Sequence, residues 1–197
     1  MTRLLIGLFI LASAGEVIPE YFGIGFRHVL PLGLDHVLFV LGLFFLTKDF
    51  SVLLFQLTLF TLAHSLTLGL ALYGVISVPT TLVEVAIALS ISFIAIENLF
   101  CNGLSRWRPW VVFAFGLVHG LGFAHSFQEH AVDIENFLPA LFSFNVGIEC
   151  AQIVVVGMAY TAVAVWWKRE TYRLMVARPA SVMLAASGLY WAVERSI

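Results

Sequence analysis

Apolar residues in this chain run together over long stretches instead of forming one stripe of an amphipathic helix. The runs are Leu4–Ala14, Val29–Thr47, Val52–Val75, Thr81–Phe100, Trp110–Phe127, Phe137–Trp167 and Pro179–Val193. About 20 apolar residues suffice for a helix to cross the hydrocarbon core of a bilayer. The pattern therefore predicts an all-α fold: a polytopic transmembrane bundle of seven helices forming one domain over residues 1–197. Short breaks separate the runs, such as Lys48-Asp49-Phe50 and Ser77-Val78-Pro79. The first run is ambiguous, because Met1-Thr-Arg3, an apolar core and Ala12-Ser-Ala14 have the form of a signal peptide. We read it as a retained helix, extending toward Ile18; cleavage would leave six helices.

Composition strengthens this picture. The 197 residues are 61% hydrophobic and 11% charged, with a mean hydropathy of +0.99, whereas a soluble domain carries about 25% charged residues. Net charge is −2 with no basic patch, which argues against a nucleic-acid partner. Cys101 and Cys150 form no Cys-x-x-Cys and imply no disulfide framework. Basic residues set the orientation. If the segments alternate, Arg3, Lys48, Arg106, Arg108, Lys168, Arg169 and Arg173 fall on one side, and Arg27 and Arg195 on the other. This predicts a cytoplasmic N-terminus and an outside C-terminus. The loop Gln128–Asn136 carries Glu129, Asp133 and Glu135 without Lys or Arg. It reads as a solvated loop, or as an attractor of cations.

Against this background the polar residues inside the runs stand out: Asp35, His36, His64, Glu84, Glu97, His119 and Glu149. A carboxylate at the centre of a span costs roughly 2.5–3.5 kcal/mol even on lenient insertion scales. At about 1.5 Å rise per residue, Asp35, His36, His64, His119, Asn145 and Glu149 share a layer from mid-depth to the outer half of the bilayer. Asn145 and Glu149 lie on one helix face, four residues apart. Glu84 falls near the outer surface and Glu97-Asn98 near the inner one, as an inner-end cap or the exit of a path. His28 begins its segment, where it serves either as an interface anchor or as a ligand. Asp35 and His36 can instead pair with each other across a bend after Pro31 and Gly33. His64 can instead hydrogen-bond a neighbouring helix, as Thr61 and Thr67 beside it can. His125 lies nearer the surface, and His130 lies in a loop.

Imidazole and carboxylate together suit Ni, Zn, Co, Fe or Cu rather than Mg or Ca. The layered residues predict one intramembrane metal site drawn from His28, Asp35, His36, His64, His119, Asn145 and Glu149. Asp35 and His36 point about 100° apart on a helix, so one of them is expected behind the other, the carboxylate orienting an imidazole.

Several stretches resemble the HupE/UreJ membrane proteins. They are Phe26-Arg-His-Val-Leu-Pro-Leu-Gly-Leu-Asp-His-Val-Leu-Phe39, Thr61-Leu-Ala-His-Ser-Leu-Thr67, Glu97-Asn98, Gly116-Leu-Val-His-Gly-Leu-Gly-Phe123 and Phe144-Asn-Val-Gly-Ile-Glu149. The resemblance runs from about Gly23 to about Val156. It implies an inner-membrane permease for nickel, sometimes cobalt, in bacteria. It also implies that His28, Asp35 and His36 form a first metal motif and that His119 belongs to a later His-Gly motif. The chain departs from that pattern at two points. Six residues rather than five separate His28 from Asp35, and Gly122-Phe123-Ala124 intervenes before His125. The expectation is a divalent-metal transporter carrying Ni, Co or Zn, with the ion and membrane lipids as its partners. The alternative is an intramembrane zinc hydrolase acting on a lipid-like substrate. A third reading places haem between helices.

Overall fold

The computed structural model describes residues 17–101, 103, 105–128, 136–169 and 171–197, and only the backbone for 124–128. The Leu4–Ala14 run, the acidic residues Glu129, Asp133 and Glu135, His130 and the His125 side chain lie outside the described residues. Helix follows helix: α1 Val17–Val29, then α2 Leu34–Leu46, α3 Phe50–Leu72, α4 Thr80–Phe100, α5 Arg108–Gln128, α6 Phe137–Trp167 and α7 Arg178–Glu194. A short π-helical turn, Arg173–Ala177, leads into α7. There is no strand among the described residues.

The all-α class agrees with the pattern, and seven α-helices stand among the described residues, but the membership differs. The first described helix is α1, in a stretch where Pro19, Glu20, Gly23, Gly25 and Arg27 interrupt the apolar reading. The expected run Val29–Thr47 is not one straight helix. It breaks at Leu30–Gly33, and α1 and α2 meet there at 69°. Pro31 cannot continue α1, since it lacks the N–H and its ring clashes with the preceding turn; the Leu30–Pro31 peptide bond is cis. Asp35 and His36 thus sit in the first turn of α2, at a bend, instead of six and seven residues down a span. By length and composition α3, α4 and α6 can each cross a membrane, and the bent pair α1 and α2 has the form of a broken span or a re-entrant loop. At 17 residues α7 is at the short limit for a crossing, and the π-helical turn Arg173–Ala177 runs directly into it.

Outward-facing positions are large and apolar on nearly every helix, including Phe55, Leu62, Phe93, Phe142, Met183 and Tyr190. A helix that is apolar all round suits lipid on one side and protein on the other. Inside, Phe39, Leu43, Phe60, Ile91, Phe144 and Ile148 form the buried centre.

With lipid outside, apolar burial adds little, and close packing of small residues draws the helices together. Gly116 and Gly120 lie one turn apart on α5 and press against α3. A Cβ at Gly120 would stand 2.2 Å from the His64 carbonyl oxygen, and one at Gly116 would stand 2.5 Å from that of Phe60. Thr67 Oγ1 donates to Leu117 O at 2.7 Å across the same seam. A second close approach holds α1 on α6, where a Cβ at Gly25 would meet the Phe144 carbonyl at 1.9 Å. Ser143 Oγ donates to Ile18 O beside it, at 2.5 Å.

Several other buried polar side chains link helices or cap them. Asp49 caps α3 by accepting from the Ser51 and Val52 amides at 2.9 and 3.2 Å. At the same end of the bundle Arg108 Nη1 meets Glu97 Oε2 at 2.5 Å, with side chains only 1% and 4% exposed. Gln56 Oε1 accepts from Arg108 Nε, and Ser105 Oγ donates to Glu97, each at 2.9 Å. Asn98 Nδ2 donates to Gly42 O at 2.7 Å, tying α4 to α2. Glu97 and Asn98 therefore have structural partners at this end.

The α3–α5 seam has a measurable consequence. Gly120→Val should destabilise the bundle by about 1–3 kcal/mol or more, because the clash is with backbone and no rotamer relieves it. Gly157→Ala, with nothing within 4 Å of the added methyl, should leave stability unchanged or raise it. Thermal unfolding of the purified protein in detergent compares the two, and equal midpoints would refute the role given to the seam.

Candidate metal centre

Four histidines from four helices converge near the bend. His28 ends α1 and His36 begins α2, so the break between those helices folds both onto one spot. His64 sits mid-way along α3, and His119 precedes Gly120 on the facing side of α5. The ring centres of His28 and His36 lie 4.6 Å apart, those of His28 and His64 5.8 Å, and those of His36 and His64 5.6 Å. His119 joins through His36 at 5.0 Å. The group is buried: His36, His64 and His119 are 5%, 0% and 1% exposed.

Five ring nitrogens in this group are buried without a hydrogen-bond partner: His28 Nε2, His36 Nε2, His64 Nδ1 and Nε2, and His119 Nδ1. An unpaired buried polar atom costs about 1–3 kcal/mol, so their concentration in one place calls for an explanation. One nitrogen is accounted for. Ser90 Oγ donates to Ile87 O at 2.7 Å and lies 3.1 Å from His119 Nε2. Because the single Ser90 proton is already used, Ser90 accepts from His119 Nε2–H. His119 is therefore the Nε2–H tautomer, with the lone pair on Nδ1.

An ion bound by imidazole sits about 2.0–2.1 Å from each nitrogen, which places tetrahedrally arranged ring centres roughly 5 Å apart. The spacings within the His28, His36 and His64 trio and from His36 to His119 lie near that value, and the orphaned nitrogens supply neutral donors of a type that first-row divalent ions accept. As the side chains stand, no three or more His, Cys, Asp or Glu among the described residues form a ready ligand set. Bringing the lone pairs onto one ion requires the rings to turn about χ2, which is a broad torsion for His.

A cavity of 470 Å³ leads to this group. His28, His36 and His119 line its inner part, and Arg27, Asp35, Glu84 and Arg195 its mouth. On the far side of the imidazoles the Phe39 and Phe60 rings lie 4.9 Å apart, tilted by 31°, with Phe115 beside Phe39. That aromatic layer separates the cavity from the end bearing Glu97 and Arg108.

Of the carboxylates expected in the same site, Asp35 stands at the mouth of this cavity and Glu149 lies in another pocket. Asp35 is paired with Arg195, whose Nη2 is 3.1 Å from both carboxylate oxygens. Glu149 accepts from Thr58 Oγ1. With Asn145 it lines a separate pocket of 410 Å³, bounded by Thr61, Ser65 and Phe142 on the faces of α3 and α6. Asn145 Nδ2 donates to Leu141 O at 2.6 Å on its own helix. The shared layer of depth thus contains two pockets. His28, weighed above as an interface anchor, lies within the histidine group. Sequence reasoning missed Ser90 and Arg195 as parts of the site. Ser90 is an ordinary small polar residue in an apolar run, and Arg195 contributed only to the charge count.

The family comparison joins this geometry to a known group. The model described as HupE / UreJ protein matches residues 7–195. The chain belongs to the HupE/UreJ family. The match takes in all four histidine-bearing helices and extends beyond the stretch from Gly23 to Val156. No curated protein and no solved structure matches the chain. This HupE/UreJ protein is an integral membrane protein.

The Ser90 contact makes a spectroscopic prediction. In protein with ¹⁵N-labelled histidine, His119 should give the signature of a fixed Nε2–H tautomer. Ser90→Ala should convert it to a mixture, and an unchanged spectrum would remove Ser90 from its positioning role.

Proposed function

We propose that this HupE/UreJ protein is a permease for a divalent transition metal of the nickel or cobalt kind. In this reading His28, His36, His64 and His119 hold the ion during passage. The observation that carries it is the set of orphaned imidazole nitrogens of His28, His36 and His119 at the inner end of an open cavity, with those of His64 buried beside them. Nickel, cobalt and zinc all accept such donors, and the donor type by itself does not select among them. Release on the other side requires the Phe39–Phe60 layer to part, which is a rearrangement of α2 against α3. Discontinuous helices often border transport sites, and the α1–α2 break borders this one.

The arrangement speaks less for a hydrolase. A catalytic zinc works with a carboxylate base close to its water, but Asp35 is engaged by Arg195 and Glu149 by Thr58 in another pocket. Haem is also a poor occupant, since the imidazole rings pack on each other and on Phe60, Phe123 and Phe144.

Reconstituted vesicles test the reading. Nickel or cobalt uptake should exceed that of empty vesicles, and His64→Ala or His119→Ala should lower it by more than about tenfold, the size of loss that even an outer-shell residue can cause. Uptake equal to empty vesicles overturns the proposal.

We also propose that the cavity mouth faces outward in a bacterial inner membrane. Lys48 bonds Trp167 O, Arg173 bonds Cys101 O, and Arg108 pairs with Glu97, all at the end away from the mouth. Basic residues favour the cytoplasmic side. In intact cells a membrane-impermeant maleimide should label Ser196→Cys, introduced with Cys101 and Cys150 replaced by serine. Labelling only after permeabilisation would reverse the orientation.

A further inference from the structure

The mouth of the cavity is electrically balanced. Two cationic side chains, Arg27 and Arg195, face two anionic ones, Asp35 and Glu84. An entering dication therefore meets no net attraction there. The balance depends on one side chain. Both Asp35 oxygens accept from Arg195 Nη2 at 3.1 Å, and Arg195 Nη1 donates to the Glu84 carbonyl at 3.3 Å. The guanidinium lies 5.2 Å from the centre of the Trp191 ring, one turn back on α7.

We infer that Arg195 is a displaceable internal cation that occupies Asp35 and determines which ions enter the histidine cavity. The inference rests on the proposed function of that cavity. Three features make the guanidinium displaceable. It uses one nitrogen for both oxygens, not the two-nitrogen fork of the strong arginine–carboxylate pair. The two side chains are 22% and 26% exposed, and pairs reached by solvent are weak. Arg195 follows the last residue of α7, so its side chain can swing without disturbing a packed segment. When it leaves, the lining gains a net charge of −1, and the freed carboxylate stands one residue from the His36 imidazole.

Selectivity follows from the order of these events. A bare carboxylate at the mouth would attract any cation, including Mg²⁺ and Ca²⁺, which prefer oxygen ligands. With Arg195 in place, an ion must first be held by neutral nitrogen donors before it can compete for Asp35. Ions that bind imidazole strongly pass this test, and hard ions do not. Arg195 then acts as a specificity-determining residue without being a ligand.

Zn²⁺ titrations of the full-length protein in detergent test this, since Zn²⁺ has no redox chemistry. Arg195→Gln should bind Zn²⁺ on the order of tenfold more tightly than the wild type, a coupling in the usual range between neighbouring sites. Excess Mg²⁺ should compete with Zn²⁺ in Arg195→Gln and not in the wild type. Zn²⁺ should also change the Trp191 fluorescence of the wild type as the guanidinium leaves the ring, and Trp191→Phe should lack that change. Asp35→Asn, which breaks the pair from the other side, should bind Zn²⁺ more weakly and lose the Trp191 response. Unchanged Zn²⁺ affinity and Mg²⁺ tolerance in Arg195→Gln, with Zn²⁺ binding intact in the wild type, overturn the role of Arg195 alone. An Asp35→Asn protein that binds and responds like the wild type also overturns it. Absence of Zn²⁺ binding in both wild type and Arg195→Gln overturns the cavity reading and this inference together.

Discussion

Lipid on the outside leaves a buried polar group in this bundle with only other protein groups as partners. The helices arrange themselves around that constraint. Glu97 and Arg108 are buried together with Gln56 and Ser105. Asn98 satisfies a carbonyl on α2, and Thr67 one on α5. Ser92 donates from α4 to the Ala185 carbonyl of α7 at 3.1 Å. Each of these links holds one helix to another in a setting where burial of apolar surface gives little preference for protein over lipid. Against that economy, five unpaired imidazole nitrogens gather in one place, whereas the other unpaired buried atoms, such as Gln152 Nε2 and Tyr172 OH, are scattered. The cluster lies at the inner end of the 470 Å³ cavity.

The cluster exists because of two close backbone contacts and one bend. Gly120 lets α5 approach the His64 carbonyl, which brings His119 toward the histidines of the other helices. Gly25 lets α1 lie on Phe144 of α6, which holds His28 beside Phe123 and Phe144. The break at Pro31 and Gly33 turns the chain so that His28 and His36, eight positions apart, face each other. No single helix could have presented these four rings to one point.

The separation of neutral and charged groups gives the site its character. Imidazoles fill the interior, carboxylates stay at the mouth or in another pocket, and an arginine answers the nearest carboxylate. In the proposed permease, a neutral nitrogen interior would discriminate by ligand preference rather than by charge alone, favouring first-row transition metals over the abundant hard cations. A carboxylate-lined interior would be better compensated for a dication and less selective.

Much of this was legible in the residues themselves. Unbroken apolar runs and scarce charge dictate membrane helices, because no water is available to exposed backbone there. His64 and His119 within such runs mark a buried site, and the motifs around them carry the family. Depth along a run also placed Glu149 and Asn145 level with the histidines, yet depth fixes one coordinate of three. Which way a helix face turns is decided by packing, and α6 turns those two residues toward Thr58 and Thr61 of α3 and away from the imidazoles. The helix α1 was hidden because its glycines and proline depress the apolar signal, while those same glycines are what allow it to pack. Arg195 read as one positive charge near the end of the chain, and only the tertiary fold brings it across 160 positions to Asp35. Sequence determines which side chains must be buried and what chemistry they offer; the fold alone decides which of them meet, because a contact between distant helices depends on backbone approach and face rotation that local pattern does not encode.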